Sequence, residues 1–260
     1  MGISWGWATD VGLRRAHNED ALLARAGLFV VADGMGGHAA GEVASRLAVQ
    51  AFSDLADHAA ELTADAVQAT LTSSGQRIQT RSEQDSKTAG MATTVVGMAA
   101  VMQGESPYWI AFNIGDSRLY HCRTDGVERI SVDHSYVQEL VDEGRLRRAG
   151  TRDHPSRSVI TRALGIPGSR PADFWLFPRE PGQRFLLCSD GLTDEVNDTG
   201  IAATLATSVG PQDAADRLVS AALQAGGSDN VSVIVVDVAS GPDPLGADPG
   251  ATAPLDTLWP

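Results

Sequence analysis

Two cysteines, Cys122 and Cys188, and a single lysine, Lys87, are all that the 260 residues contain of those types. The cysteines lie far apart and show no metal-ligand spacing with each other or with histidine. A disulfide framework and a structural zinc are therefore excluded, and both thiols read as reduced core residues of a cytoplasmic protein. No stretch reaches the roughly 18–20 uninterrupted apolar residues of a spanning helix, so no membrane segment is expected. The opening Met-Gly-Ile-Ser-Trp-Gly-Trp lacks the basic and apolar regions of a secretion signal. Gly6 stands where a myristoylation signal requires Ser or Thr. Positive charge is also scarce, 20 Lys and Arg against 33 Asp and Glu, for a net −13. A nucleic-acid binder needs a basic face to meet phosphates, so that class is set aside. No internal repeat and no interdomain linker is visible.

What remains is a soluble globular composition, 43% hydrophobic and 20% charged. The length allows one large domain or two small ones, either able to bury a core. One domain over residues 1–239 is the economical reading, followed by a Pro/Gly/Ala-rich tail, 240–260, expected to be disordered. The excess acidity can be local if several aspartates converge and await cations.

Periodicity supplies the elements. Residues 3–12 read as a strand closing in a turn, and 13–20 as a dense polar loop. Residues 21–24 and 28–32 read as a hairpin about Arg25-Ala26-Gly27. From 41 to 59 the pattern turns helical, with Val43, Leu47, Ala51 and Leu55 four apart and Ala44 and Ala48 widening the stripe. A weaker helix, 64–84, is anchored by Val67, Leu71 and Ile78. Residues 93–102, 108–114, 117–122 and 127–131 then form an antiparallel meander joined by hairpin turns, which argues against a doubly wound parallel sheet. A short helix is expected at 135–144 inside a polar, Arg-rich segment, 134–168, whose part 145–157 reads as a mobile flap. Strands at 174–177 and 184–189, a helix near 212–223 and a final strand at 231–238 complete the chain.

Three aspartates stand at strand ends. Leu28 to Ala32 leads into Asp33, Arg184 to Ser189 into Asp190, and Asp229 lies two residues before the last strand begins at Val231. Asp-Gly alone is an ordinary turn dipeptide, and for residues 33–34 in isolation that reading stands. Repetition of the design changes the balance. Brought together, three acceptor-only carboxylates repel unless one is protonated or a hard cation such as Mg²⁺ or Mn²⁺ sits among them. Two such cations are the standard arrangement for in-line attack at phosphorus.

The residues around these aspartates fall into blocks: Thr-Asp-Val-Gly-Leu-Arg-Arg-Ala-His-Asn-Glu-Asp-Ala (9–21), Val-Ala-Asp-Gly-Met-Gly-Gly-His (31–38), Gly-Met-Ala-Thr-Thr (90–94), Asn-Ile-Gly-Asp-Ser-Arg (113–118), Asp-His-Ser (133–135), Cys-Ser-Asp-Gly-Leu-Thr-Asp (188–194) and Ser-Asp-Asn-Val (228–231). In this order, over residues 5–238, they resemble the bacterial branch of the metal-dependent serine/threonine protein phosphatases, the type-2C or PPM family.

The resemblance implies an α+β fold, a four-layer α-β-β-α sandwich of two mainly antiparallel sheets flanked by helices. It implies a binuclear Mg²⁺ or Mn²⁺ centre in which Asp33 bridges the ions, the Gly34 carbonyl ligates one of them, and Asp190 and Asp229 hold the other. Asp116, with Asp190, matches a third and weaker metal site, although Gly-Asp-Ser between strands is also a plain turn. Glu19 and Asp20 match an acidic pair that orders metal-bound waters, and Arg15 matches a phosphate-binding arginine whose planar fork suits two oxygens. Its neighbour Arg14 should point elsewhere. His38 is the candidate general acid, against the alternative of an ordinary histidine in a glycine-rich loop.

His17 departs from the family pattern, where asparagine is common, and carries no assigned role. Thr93 and Thr94 read as packing and backbone support, and Asn230 as the residue that fixes the turn presenting Asp229. The implied activity is hydrolysis of phosphoserine or phosphothreonine in proteins by a metal-bridging water. The partners are phosphorylated proteins, among them Ser/Thr kinases or their substrates. Two other readings stay open: a catalytically silent binding module on the same fold, and a phosphatase dedicated to one regulatory partner. The flap arginines Arg145, Arg147, Arg148, Arg152 and Arg157 either meet acidic or phosphorylated partners or form a solvated face.

Overall fold

The tight hairpin at Ala26-Gly27 starts the first sheet. In the computed structural model, which describes residues 2–36, 40–59, 61–123 and 125–239, β2 (Asp20–Arg25) and β3 (Leu28–Met35) pair antiparallel with Arg25 opposite Leu28. Gly27 takes φ +83°, the left-handed conformation that so short a connection demands and a side chain resists. The sheet continues through β5 (Val95–Gln103), β6 (Ser106–Ile114) and β9 (Asp173–Pro178) in the order β2-β3-β5-β6-β9, and the short β4 (Ala92–Thr93) pairs with the end of β3. The second sheet has the order β1-β11-β10-β7-β8, from β1 (Ile3–Asp10), β7 (Arg118–Arg123), β8 (Gly126–Arg129), β10 (Arg184–Cys188) and β11 (Val231–Val238). Neighbouring strands in both sheets run antiparallel.

The sheets pack face to face through Leu22, Phe29, Val31, Met98 and Trp109 from one and Phe185, Leu187, Ile234 and Val236 from the other. The opposite face of the first sheet lies under α1 (Ala40–His58) and α2 (Ala64–Gln84). That of the second lies under α4 (Asp190–Glu195), α5 (Asp198–Thr207) and α6 (Pro211–Ala225). The expected four layers are therefore present. Strands covered on both faces read as continuous apolar runs, which is why residues 28–32 show no alternation.

In α1 the deepest stripe is Ala44, Ala48 and Phe52, while Val43, Leu47 and Leu55 flank it half-buried. Small side chains let the helix axis approach the sheet, so the alanines read as a margin are its contact line. The strand expected over 93–102 is broken at Thr94, whose N–H leaves the ladder to donate to the Asp33 carbonyl at 2.9 Å. The first strand stops at Asp10, where Oδ1 accepts from the Gly12 N–H at 2.8 Å and turns the chain. Helices α4 and α5 were not expected. The first is too short to display a period, and the second buries only Ile201 and Leu205, although its N-cap, Asn197 accepting from the Gly200 N–H, is visible in the sequence. The short helix of segment 134–168 is α3 (Tyr136–Asp142). Among the described residues no helix is long and apolar enough to cross a membrane. The expected tail, 240–260, and His38 lie outside the described residues.

Candidate active site

Register brings the first two acids together. Asp20 opens β2 directly opposite Asp33 near the end of β3, a pairing of like charges that costs stability in an ordinary sheet. From the second sheet, β10 delivers Asp190 at the first turn of α4, and the loop before β11 delivers Asp229. Asp116 follows β6 in a loop that joins the two sheets. Asp20 and Asp116 are buried, whereas Asp33, Asp190 and Asp229 keep a solvent-facing edge.

Their proton affinities record this crowding. Desolvation first, then the charges of Asp20, Asp190 and Asp116, hold the Asp33 carboxyl well above the usual carboxylate range. Desolvation pushes Asp20 up to about 7, against hydrogen bonds from Ser232 and Ser189. Asp190 rises to about 6, again by desolvation, with Asp194 and Asp229 adding to it and a hydrogen bond from Asp33 opposing it. Asp116 rises through desolvation and the charge of Asp190, and its Oδ1 is buried with no hydrogen-bond partner.

The backbone around these acids is fixed with few degrees of freedom. The Asp33 carbonyl accepts from Thr94 N–H and Thr93 Oγ1, both at 2.9 Å, and the Asp33 N–H donates to Thr94 Oγ1 at 3.1 Å. The support expected of Thr93 and Thr94 is therefore directed at one aspartate. A Cβ on Gly34 would lie 2.1 Å from the Gly41 carbonyl oxygen, so only glycine lets α1 begin this close to β3. Asn230 ties three loops together: its N–H donates to Asp229 Oδ1 at 2.8 Å, its Oδ1 accepts from the Glu19 N–H at 2.8 Å, and its Nδ2 donates to the carbonyls of Val11 and His17 at 2.9 Å each. Arg15 Nη2 reaches Asp229 Oδ2 at 2.5 Å with its side chain 49% exposed. Glu19 is half-buried beside it, its carboxyl raised by desolvation against the pull of Arg15.

Three supporting side chains were not assigned roles from sequence. Glu195, at the end of α4, accepts from the N–H and Oγ of Ser228 at 2.9 and 2.6 Å, so one short helix fixes both Asp190 and the loop of Asp229. Asp133 receives Arg118 through two nitrogens and also Arg129. His134 Nδ1 accepts from the Gly115 N–H at 3.1 Å and its Nε2 meets Asp173 Oδ2 at 3.1 Å, bracing the loop of Asp116. Only the Asp-His-Ser block marked the last two, and their partners lie too far off in sequence to be read.

Among the described residues no three His, Cys, Asp or Glu side chains close into a ready-made ion cage. The donor set nevertheless fits hard divalent cations. All its atoms are oxygens, its acids raise one another's proton affinity, and the buried Asp116 Oδ1 lacks a partner that a cation would supply.

The raised acids give the ion-free protein a definite response to pH. Asp20 and Asp190 keep protons in the fold up to about 7 and about 6, whereas an unfolded aspartate loses its proton near about 3.9. Between these values the fold binds more protons than the unfolded chain, so stability falls as pH rises and the full cost is present above the folded values. In EDTA, raising pH from about 4 to about 7 should lower the melting temperature of the wild type more than that of Asp33→Asn, and Mn²⁺ should restore most at the upper end. Equal slopes for the two proteins would show that the acids do not repel.

A family model described as Protein phosphatase 2C matches residues 14–225, most of the chain. The chain belongs to the protein phosphatase 2C family. Among phosphatase-2C relatives, it is 40% identical over 253 residues to the serine/threonine protein phosphatase PstP of Mycobacterium tuberculosis, covering 95% of this chain but 46% of that protein. It therefore spans less than half the length of that relative. It is 37% identical over 243 residues to the serine/threonine phosphatase stp of Listeria monocytogenes, covering 88% of this chain and 93% of that one. The crystal structure of the PstP catalytic domain in complex with two manganese ions superposes with a TM-score of 0.82 at 36% identity, covering 91% of this chain and 98% of that one. The two phosphatase-2C sheets and their flanking helices thus agree with the architecture the motifs implied.

Proposed function

We propose that this phosphatase-2C chain hydrolyses phosphoserine and phosphothreonine in proteins, using Mn²⁺ or Mg²⁺. The observation that carries the reading is the convergence of Asp20, Asp33, Asp116, Asp190 and Asp229, drawn from both sheets, on one centre with Arg15 at its rim. Asp33 would be shared between two ions, with the Gly34 carbonyl on one and Asp190 and Asp229 on the other. Asp116 and Asp190 would hold a third, weaker ion. Such ions, when bound, supply an activated water and neutralise charge on phosphate oxygens.

The remaining work belongs to the side chains. Asp229 orients the Arg15 fork while leaving other N–H groups free and exposed for phosphate oxygens. Glu19 and Asp20 would order metal-bound waters, and His38 is the proposed proton donor to the departing hydroxyl. Residues 1–239 would be the catalytic domain and 240–260 a disordered tail, in a cytoplasmic protein whose partners are phosphorylated proteins, Ser/Thr kinases or their substrates among them. The silent-module reading requires a lost ligand, and Asp33, Asp190 and Asp229 are all in place.

Hydrolysis of a chromogenic aryl phosphate tests the reading. Activity should appear with Mn²⁺, disappear in excess EDTA and return on adding Mn²⁺ back. Turnover undiminished by EDTA would refute the metal-dependent reading, and no turnover with Mn²⁺ would favour the silent module.

A further inference from the structure

Beside the acid centre opens a cavity of about 400 Å³, walled by the 134–158 segment on one side and by α4 and the start of α5 on the other. Its volume falls in the range that takes a small ligand or a few side chains. Asp116 and Asp190 form the end that adjoins the centre, and Arg148, Arg152 and Arg157 stand on its 134–158 side. We propose that this cavity is a recognition pocket for an acidic side chain of the phosphorylated substrate, close in sequence to the residue being dephosphorylated. The proposal rests on the phosphatase reading given above and names the class of substrate it prefers.

Charge within the cavity is unevenly placed. Its floor pairs one carboxylate, Asp133, with two guanidinium groups, Arg118 and Arg129, at 2.8 and 3.0 Å. The second positive charge of that trio is offset by Asp116 and Asp190, whose carboxyls Arg118 pulls down. Arg152 spends one nitrogen on the carbonyls of Thr193 and Asp194, at 2.7 and 3.1 Å, which pins the segment to α4 while leaving its charge unpaired. Arg157 meets Asp194 at only 3.5 Å with both side chains substantially exposed. No ion pair or hydrogen bond engages the Arg148 guanidinium among the described residues. Asp198 also lines the cavity, and its Oδ1 accepts from the Tyr120 hydroxyl at 3.1 Å. Five arginines and five aspartates line the cavity, but among the described residues Arg148 and Arg152, both on the 134–158 side, make no ion pair with any of those carboxylates.

A peptide whose phosphate sits beside Arg15 would lay neighbouring residues along this cavity. A carboxylate, or a second phosphate, reaching Arg148 would gain a charge-assisted and potentially bidentate hydrogen bond. It would also offer Arg157 a closer partner than Asp194. A lysine or arginine at the same place would face three like charges.

The test uses the full chain and pairs of phosphothreonine peptides that differ at one position, Glu against Gln, scanned over about four residues on each side, the reach of an extended segment across such a cavity. At one or two positions the Glu peptide should be preferred by about tenfold in kcat/KM, mainly through KM, with the preference shrinking as salt is raised. In Arg148→Gln/Arg157→Gln the Glu-to-Gln ratio should fall to about one, and Arg148→Glu should favour a Lys peptide over the Gln peptide. Because each ratio is taken within one variant, loss of fold or of general turnover does not imitate the result.

Fluorescence anisotropy of the same peptides in EDTA, with turnover stopped, should show the same ordering. That measurement separates the two readings. Aryl phosphate hydrolysis without any Glu preference overturns the pocket and spares the phosphatase, whereas Glu-selective binding without hydrolysis does the reverse. A Glu preference that survives Arg148→Gln/Arg157→Gln also overturns the pocket.

Discussion

Asp33→Ala should lose at least about a thousandfold in Mn²⁺-dependent hydrolysis while the ion-free protein gains melting temperature. The two effects share one cause. The Asp33 residue stands opposite Asp20 across the β2–β3 ladder, and the charges of Asp20, Asp190, Asp116 and Asp229 all raise its carboxyl. Removing it relieves repulsion in the folded state, which has no equal in the unfolded chain, so the ion-free fold gains. The same removal deletes the carboxylate proposed to be shared between the two principal ions. The backbone role of residue 33 survives, because its bonds to Thr93 and Thr94 use main-chain atoms. Calorimetry in EDTA and in Mn²⁺, alongside activity, checks the prediction: wild type should gain markedly more from Mn²⁺ than the variant. An Asp33→Ala protein that is folded and fully active would remove the proposed mechanism.

Asn230→Ala should be nearly as damaging, and in both stability and activity. Truncation leaves the carbonyls of Val11 and His17 and the N–H of Glu19 without their partner. Buried unsatisfied polar groups cost about 1–3 kcal/mol each, so a total loss of about 3–5 kcal/mol is expected after water reaches the loop. Activity should drop by about a hundredfold or more, because Asp229 and the Glu19–Asp20 loop would no longer be held at a fixed separation. Asn230→Asp keeps the acceptor for Glu19 but lacks both Nδ2 donors and adds a charge beside Asp229, so it should be no better than alanine. Urea unfolding and hydrolysis rates on the two variants decide this. An Asn230→Asp protein of wild-type stability would mean that the two carbonyl contacts carry little.

Much of this was legible before any coordinates. Strand ends at Asp33, Asp190 and Asp229 follow from apolar runs bounded by turn residues, and the antiparallel meander follows from short spacings between β-branched segments. The order of the motif blocks pointed to the two-sheet fold. Other features depend on residues distant in sequence. Nothing around Asp20 reveals that its register partner is Asp33, because register is set by how the whole hairpin buries its faces. Glu195 looks like one more surface acid at the end of a helix, and its partner Ser228 is 33 residues away. His134 braces Gly115, 19 residues earlier, against Asp173, 39 residues later. Thr94 reads as a strand residue and is one in composition, but its N–H is needed by Asp33 and the ladder yields. Helices α4 and α5 escaped because neither is long enough for a period to stand out.

The two sheets share no strand, and the layer between them is built from side chains such as Phe29, Trp109, Phe185 and Ile234. Contacts of this kind resist separation but give little directional resistance to sliding. At the end where the acids gather, Asp20 and Asp33 belong to one sheet and Asp190 and Asp229 are carried by the other. A cation held by both sets would act as a rivet through the two plates. Occupancy of the centre would then set how freely the plates shear, as well as whether water is activated, and loss of the ions should quicken hydrogen exchange at the β3 and β10 ends together.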